Sequence, residues 1–392
     1  MKIIADQQIP HLQAFSTFAE VTICNGREIT TEKVRDADIL LVRSVTSVNA
    51  SLLDGSQVKF VATATSGQDH VDLEYLQRNN IGFAHAKGSN ARSVAEYTLS
   101  SLFVLADQHG FNLKDKTVGV IGCGEVGSRV VAMLETIGVR CLMNDPPLKD
   151  AHGKDVSGTD PSAGEKYCDL KALFSADIIT LHVPFTEDGL YLTKNLVDAD
   201  FLAKLNDDVI LINTARGGVI DETALKNHLA CHEDMKVVLD AWEDEPEIDL
   251  ELLTQVDIST PHIAGYSTDG KIHATQMIFE SMCTFFNLDA KWQTTSVLPY
   301  ANSLEIQESA ELSDEDAIQM AVFASYDVRS DSISLRRLPE VDDEQRSHYF
   351  DELRKNYPVR REFPATLVHL HGSKKILAEK LKRLGFNVQA SS

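Results

Sequence analysis

The run Gly122-x-Gly124-x-x-Gly127 constrains this chain more than any other feature. Before it, Val118–Ile121 has the length and β-branching of a buried parallel strand. After it, Val126, Val130, Val131, Leu134 and Ile137 recur on one helical face, Gly138 stops the pattern, and a second apolar run ends at Asp145. Gly122 permits the tight strand-to-helix turn, Gly124 lets backbone approach a pyrophosphate, and Gly127 lets the helix pack hard on the sheet. The amides around Glu125 and Val126, at the positive end of that helix, suit an anion. Asp145 stands where a carboxylate bonds ribose hydroxyls and disfavours an extra phosphate there. The unit therefore reads as an NAD site.

The rest of the chain is of alternating α/β type. Met1–Ala5, Ile39–Val42 and Phe60–Thr63 read as strands, the last two running into Arg43-Ser44 and Thr65-Ser66-Gly67. Past the glycine loop, Asp177–Pro184 brings Val183 to a strand end and Val209–Thr214 delivers Ala215 and Arg216. Lys236–Asp240 leads to Glu245-Pro246, and Val256–Tyr266 carries His262 and Gly265. Open α/β sheets bind ligands beyond strand C-termini, so these residues converge on one edge. Long helices are expected over 90–106 and 266–286, and a surface loop over 146–168. Beyond Leu288 the reading is a strand Ala321–Asp327, a helix Glu344–Tyr357, a strand Ala365–His371 and a helix Ser373–Leu384, forming a small α+β domain.

Composition narrows the function. A chain of 392 residues, 43% hydrophobic, supports two or three cores. No apolar run reaches membrane-span length, and the first residues lack a signal-peptide pattern. The six cysteines (Cys24, Cys123, Cys141, Cys168, Cys231 and Cys283) show no C-x-x-C spacing. They read as reduced residues of a cytoplasmic protein without a metal site. The formal charge of −22 repels nucleic acid and anionic membrane, so neither is an expected partner. An anionic small-molecule substrate would need a local basic pocket.

Hydride transfer from an alcohol needs a base for the hydroxyl proton and a cation near the oxygen. His262 is the natural base, Glu245 can fix its tautomer and favour its protonated form, and Arg216 offers a planar fork to a carboxylate. Each alone reads equally as a turn or a solvated loop; together, at successive strand ends of a dinucleotide sheet, they read as chemistry.

Asn213-Thr-Ala-Arg-Gly-Gly218, Leu239-Asp-Ala-Trp-Glu-Asp-Glu-Pro246 and Thr260-Pro-His-Ile-Ala-Gly265 resemble the signatures of the D-isomer-specific 2-hydroxyacid dehydrogenases. The resemblance implies a Rossmann-type NAD domain over 96–266 and a flavodoxin-like discontinuous substrate domain over 1–95 and 267–287. It makes Arg216, Glu245 and His262 catalytic. A narrower likeness within the family is carried by Leu41-Val-Arg-Ser-Val-Thr46, Ala62-Thr-Ala-Thr-Ser-Gly67, Asp69-His-Val-Asp72 and Leu353-Arg-Lys-Asn-Tyr-Pro-Val-Arg-Arg-Glu362. It implies a phosphorylated 2-hydroxy acid as substrate and a C-terminal dimerisation domain over 288–392, hence a homodimer. By position it assigns Ser44, Thr65 and Tyr266 to the substrate. Gly122, Gly124, Glu125, Val126, Gly127, Asp145, Val183, Thr214, Ala215, Arg216, Asp240 and Gly265 fall to NAD. Arg43 is a candidate for the substrate phosphate, and Arg360 or Arg361 would reach a partner subunit's cleft. The alternatives are a sister dehydrogenase acting on 3-phosphoglycerate or glycerate, and an NAD(H)-sensing binding protein on the same fold.

Overall fold

The computed structural model describes residues 1–153, 166–289, 292, 302–309, 311–372 and 374–391. The chain divides into two compact units, Met1–Arg92 with Tyr266–Leu298, and Ser93–Gly265 with Pro299–Ser392.

The first unit is built on β1 (Lys2–Asp6), β2 (Glu20–Cys24), β3 (Ile39–Val42), β4 (Phe60–Thr63) and β5 (Gly82–His85). All pair in parallel in the order β2-β1-β3-β4-β5, the flavodoxin-like arrangement. Side chains alternate across a strand, and here both faces are covered. Ile3, Ile39, Leu41, Phe60 and Ala62 pack on one face with Ala274, Ile278, Phe279 and Met282 of the helix Thr268–Phe285. Ile4, Leu40, Val42 and Val61 pack on the other. That double burial is why β3 and β4 are uninterrupted apolar runs. The outer strands β2 and β5 bury no such run, and sequence periodicity gives no sign of them.

The second unit carries β6 (Thr117–Ile121), β7 (Arg140–Asn144), β8 (Ile178–Leu181), β9 (Ile210–Asn213), β10 (Lys236–Leu239) and β11 (Ile258–Ser259). Their order is β11-β10-β9-β8-β6-β7, all parallel. A single parallel bridge, Met143 to Tyr167, extends the sheet beyond β7 and occupies the place of a third strand. The Rossmann reading of the fold is thus borne out. Chain order reverses between β6 and β8, which puts the ligand crevice at their C-terminal ends.

Two expectations fail. Residues 146–153 form the helix Pro146–Gly153, whose Leu148 N–H donates to Asp145; residues 154–165 of the expected loop lie outside the described residues. The run Ala321–Asp327 is no strand: Ala321–Ser325 end the helix Asp314–Ser325 and Tyr326 caps it. Ser313 and Asp316 form a capping box there, and Ala317, Ile318, Ala321 and Val322 lie on its buried face. A three-stranded parallel sheet follows, β12 (Asn302–Gln307), β13 (Thr366–His371) and β14 (Asn387–Ser391), in the order β12-β13-β14. The helices Arg329–Leu335 and Arg346–Lys355 and the turn Leu338–Glu340 serve the nucleotide domain: Leu335, Leu338 and Phe350 lie in the same core as Leu252, Leu253 and Val256.

Candidate active site

The glycine loop has the shape its sequence demands. Gly122 adopts φ +86, and a Cβ there would lie 2.7 Å from the His182 carbonyl oxygen and 2.9 Å from Val183. Gly127 meets the Gly122 carbonyl so closely that a Cβ would fall 1.9 Å from it, so no larger residue fits. Gly124 is different: a Cβ would meet nothing within 4 Å, so its backbone faces open space where a pyrophosphate can approach. Asp145, just past β7, accepts from the Cys123 N–H at 2.8 Å and the Leu148 N–H at 3.0 Å. A carboxylate has about four acceptor sites, so capacity remains for ribose hydroxyls. His182 lies between the hydroxyls of Thr180 (3.0 Å) and Thr214 (3.1 Å), and burial pushes its pKa down to about 3, so it stays neutral.

The three candidate catalytic residues sit past β9, β10 and β11. The Asn213 amide shapes the first loop, accepting from Ala215 N–H (3.0 Å) and donating to Arg216 C=O (2.9 Å). Gly217 presses on the next loop: a Cβ would lie 2.0 Å from the Trp242 carbonyl. Trp242 in turn donates its N–H to Glu245 Oε1 (2.9 Å) and its indole N–H to Thr260 C=O (2.9 Å). Glu222 accepts from Glu243 N–H at 2.7 Å, and burial raises the Glu222 carboxyl to about 8. The close approach of Gly217 to Trp242 and the Trp242 indole bond to Thr260 therefore tie the arginine, glutamate and histidine loops to one another.

Glu245 reaches His262 Nδ1 with both carboxylate oxygens at 2.9 Å. Burial pushes the Glu245 carboxyl up, but the His262 charge and hydrogen bond, Arg354 and the Trp242 N–H outweigh it, so its pKa lies below the ordinary value. With Nδ1 committed to the carboxylate, hydrogen-bond logic leaves Nε2 to face a substrate.

His262 has φ +56, a left-handed conformation rare outside glycine. The turn is held by Asp240, which accepts from Thr260 Oγ1 (2.6 Å), Ile263 N–H (2.7 Å) and Ala264 N–H (2.9 Å). Tyr97, wholly buried, bonds Thr260 Oγ1 at 2.7 Å. The Asp240 side chain is 1% exposed, with both oxygens engaged by these donors. Burial raises its pKa, opposed by the His262 charge and these donors.

The expected role of Arg360 does not fit its burial. It does not reach for a partner's cleft: it is 5% exposed, stacks 3.6 Å from the Tyr326 ring centroid, and donates to Ala264 C=O (3.0 Å) and Ser93 C=O (2.6 Å). Ser93 and Ala264 border the two places where the chain leaves this unit, so one guanidinium ties both. In a chain of net charge −22 an Arg-Arg pair reads as a surface feature. The ring that covers this one, Tyr326, stands far from any motif.

Of the substrate candidates, Ser44 and Thr65 follow the adjacent strands β3 and β4 of the first unit. Ser44 is exposed, while Thr65 Oγ1 bonds Thr63 Oγ1 (2.7 Å) and Gly67 C=O (2.9 Å). Tyr266 belongs to the same unit, with the Arg43 guanidinium 5.5 Å and Lys271 Nζ 4.5 Å from its ring centroid. Sequence reasoning missed Lys271, Arg354, Glu222 and Tyr97. Lys271, Glu222 and Tyr97 lie in no motif, and only packing places them; Arg354 lies within the Leu353–Glu362 stretch, but nothing in that stretch shows that it acts on Glu245.

Residues 92–264 match the family model described as D-isomer specific 2-hydroxyacid dehydrogenase, NAD binding domain. Residues 297–385 match one described as a domain of unknown function. Over 391 residues the chain is 42% identical to an erythronate-4-phosphate dehydrogenase of Hahella chejuensis, covering 100% of each chain. It is 41% identical over 391 residues to the enzyme of that name from Yersinia enterocolitica, covering 99% of this chain and 100% of the relative. Among solved structures, the NAD+-bound 3-phosphoglycerate dehydrogenase of Entamoeba histolytica superposes with a TM-score of 0.61 at 26% identity, covering 75% of this chain and 98% of that one. A D-lactate dehydrogenase from Aquifex aeolicus shares the fold, with a TM-score of 0.59 at 24% identity over 74% of this chain and 96% of that one. The chain belongs to the D-isomer specific 2-hydroxyacid dehydrogenases, in the branch whose curated members are named erythronate-4-phosphate dehydrogenase.

Proposed function

We propose that this protein oxidises 4-phospho-D-erythronate at C2 to 2-oxo-3-hydroxy-4-phosphobutanoate, a step toward pyridoxal 5′-phosphate. The observation that carries the reading is the paired contact of Glu245 with His262 Nδ1, both at 2.9 Å, past two adjacent strands of the sheet that bears the glycine loop. NAD, when bound, accepts the hydride that leaves C2.

The chain's own residues do the rest. His262 Nε2 takes the C2 hydroxyl proton as the carbon–oxygen double bond forms. The Glu245 carboxylate offsets the charge the imidazole gains and keeps its ring aligned. Arg216, which cannot lose its proton, holds the substrate carboxylate and steadies the developing carbonyl oxygen. The amides of the Gly122–Gly127 segment hold the pyrophosphate, Asp145 the ribose, and Val183, Thr214, Ala215 and Gly265 the flanks of the cofactor. Ser44, Thr65 and Tyr266 contact the substrate.

The reading extends to a cytoplasmic homodimer that associates through the C-terminal segment. Six free cysteines support a reducing compartment. Exposed Met320, Ile333, Val359 and Ile376 support an apolar contact on that segment, which light scattering on the full chain would test. Among the described residues no helix is long and apolar enough to cross a membrane.

The test is NADH formation by purified protein with 4-phospho-D-erythronate, 3-phosphoglycerate and D-glycerate, with a parallel assay in which a 2-oxo acid acceptor regenerates any cofactor that stays bound and oxidised substrate is measured instead. Preference for the first supports the reading. Turnover of only another hydroxy acid rejects the substrate, and NADH binding without turnover of any rejects the reaction.

A further inference from the structure

Two cations of the first unit share one aromatic ring. Arg43 leaves the C-terminal end of β3, is buried, and spends one N–H on Gln8 C=O at 3.3 Å. Lys271 rises from the first turn of the helix Thr268–Phe285 and is half-buried. The guanidinium lies 5.5 Å and the ammonium 4.5 Å from the Tyr266 ring centroid. Among the described residues no carboxylate forms an ion pair with Lys271 Nζ. Asp6, at the end of neighbouring β1, faces Arg43, but burial pushes its own carboxyl up, which weakens it as a counter-charge.

Holding two like charges against one ring, partly out of water, is unfavourable unless something compensates. The ring's quadrupole attracts each cation but does not neutralise either. Burial first, and then the Arg43 charge, push the Lys271 amine below its ordinary value, with Tyr266 opposing. A dianion seated against both cations would reverse these penalties at once. In a chain of net charge −22, two cations that form no ion pair among the described residues, near the C-terminal edge of a parallel sheet, form the local basic spot that an anionic ligand requires.

We infer that Arg43 and Lys271 form the subsite for the phosphoryl group of the substrate, with Tyr266 as the shared platform. The inference rests on the proposed reaction for the identity of the substrate. The anion subsite itself stands on the first unit alone. Arg43 supplies two-point hydrogen bonding to a phosphate, and Lys271 a point charge. A bound phosphate would also offset the burial that lowers the Lys271 amine, since the amine gains a dianionic neighbour.

The experiment uses the full chain and its Lys271→Met and Arg43→Met variants. The first readout is the ratio of kcat/KM for 4-phospho-D-erythronate over that for D-erythronate. Each variant is expected to lower that ratio by about 10- to 100-fold, the range of a lost charged hydrogen bond. The second readout needs no turnover: the rise in Tm on adding inorganic phosphate, measured against chloride of equal ionic strength. Wild type is expected to gain Tm and Lys271→Met to lose that gain. Removing a partly desolvated charge should leave the variant's own Tm at or above wild type, so misfolding is separately visible. An unchanged ratio, or equal phosphate stabilisation in wild type and Lys271→Met, overturns the subsite. Phosphate stabilisation that depends on Lys271, in a protein that does not oxidise phosphoerythronate, keeps the subsite and rejects the substrate.

Discussion

Replacing Arg360 by methionine tests how far the C-terminal segment supports the histidine turn. The side chain is 5% exposed, donates to Ala264 C=O at 3.0 Å and Ser93 C=O at 2.6 Å, and stacks 3.6 Å from the Tyr326 ring centroid. Methionine keeps most of the stem but leaves two buried carbonyls without this donor and removes the cation facing Glu96 and Asp331. Each charged hydrogen bond contributes about 1.5–3 kcal/mol, and a desolvated cation–π contact roughly 2 kcal/mol. Against this stands the desolvation that the variant no longer suffers, so the net loss is that of breaking a buried charge cluster, about 3–5 kcal/mol. At roughly 2–4 °C per kcal/mol, Tm should fall by roughly 6–20 °C. Because Ala264 is two residues from His262, kcat should fall more than KM rises, and Arg360→Lys should recover part of both. Thermal unfolding followed by circular dichroism, with steady-state kinetics below the new Tm, reads both effects. A variant with wild-type Tm refutes the stability argument. A lowered Tm with unchanged kcat and pH profile refutes the positioning argument.

Three further perturbations probe the loops. Glu245→Gln keeps the size and one acceptor but removes the charge that stabilises protonated His262, so kcat should fall about 10²–10⁴-fold with little change in NADH affinity. In the wild type, Glu245 lies below its ordinary value, so its support persists above that value and is lost as pH falls through the lowered one; beyond the acid limb that protonating the base itself causes, steady-state kinetics should show a further acid step that the variant lacks. Glu222 is raised to about 8 from an ordinary 4.5, so its contribution to stability is fully present below 4.5 and lost as pH rises through 8. Glu222→Gln, which keeps an acceptor for Glu243 N–H, should flatten that decline in urea titrations across the same window. Gly217→Ala places a Cβ 2.0 Å from the Trp242 carbonyl and must push two catalytic loops apart, costing roughly 1–3 kcal/mol and raising KM through Arg216. A wild-type KM and denaturation midpoint would contradict it.

What the sequence reveals and what it hides follow from how local each signal is. The glycine loop and the Arg216, Glu245 and His262 motifs are legible because each owes its geometry to a few neighbouring residues: Asn213 folds the first loop and Asp240 the last. Buried strands such as β3 and β9 announce themselves as apolar runs. The edges β2 and β14 do not, since they bury little, and their place is fixed by neighbours distant in sequence. The helix Asp314–Ser325 is hidden because its apolar end resembles a strand, although the Ser313–Asp316 cap lies in plain view. Arg360 and Lys271 are the harder cases. Their burial depends on Tyr326 and Tyr266 respectively, and no pattern around an isolated cation reveals which ring will cover it.

The central claim is that hydride leaves C2 of the substrate while His262 takes the hydroxyl proton. The most direct measurement is turnover of 4-phospho-D-erythronate carrying deuterium at C2, with the label located by mass spectrometry. The account expects one deuterium on the reduced nicotinamide, none in water, and loss of this transfer in His262→Ala while NADH still binds. Deuterium released to solvent, or transfer at the wild-type rate in His262→Ala, would contradict it.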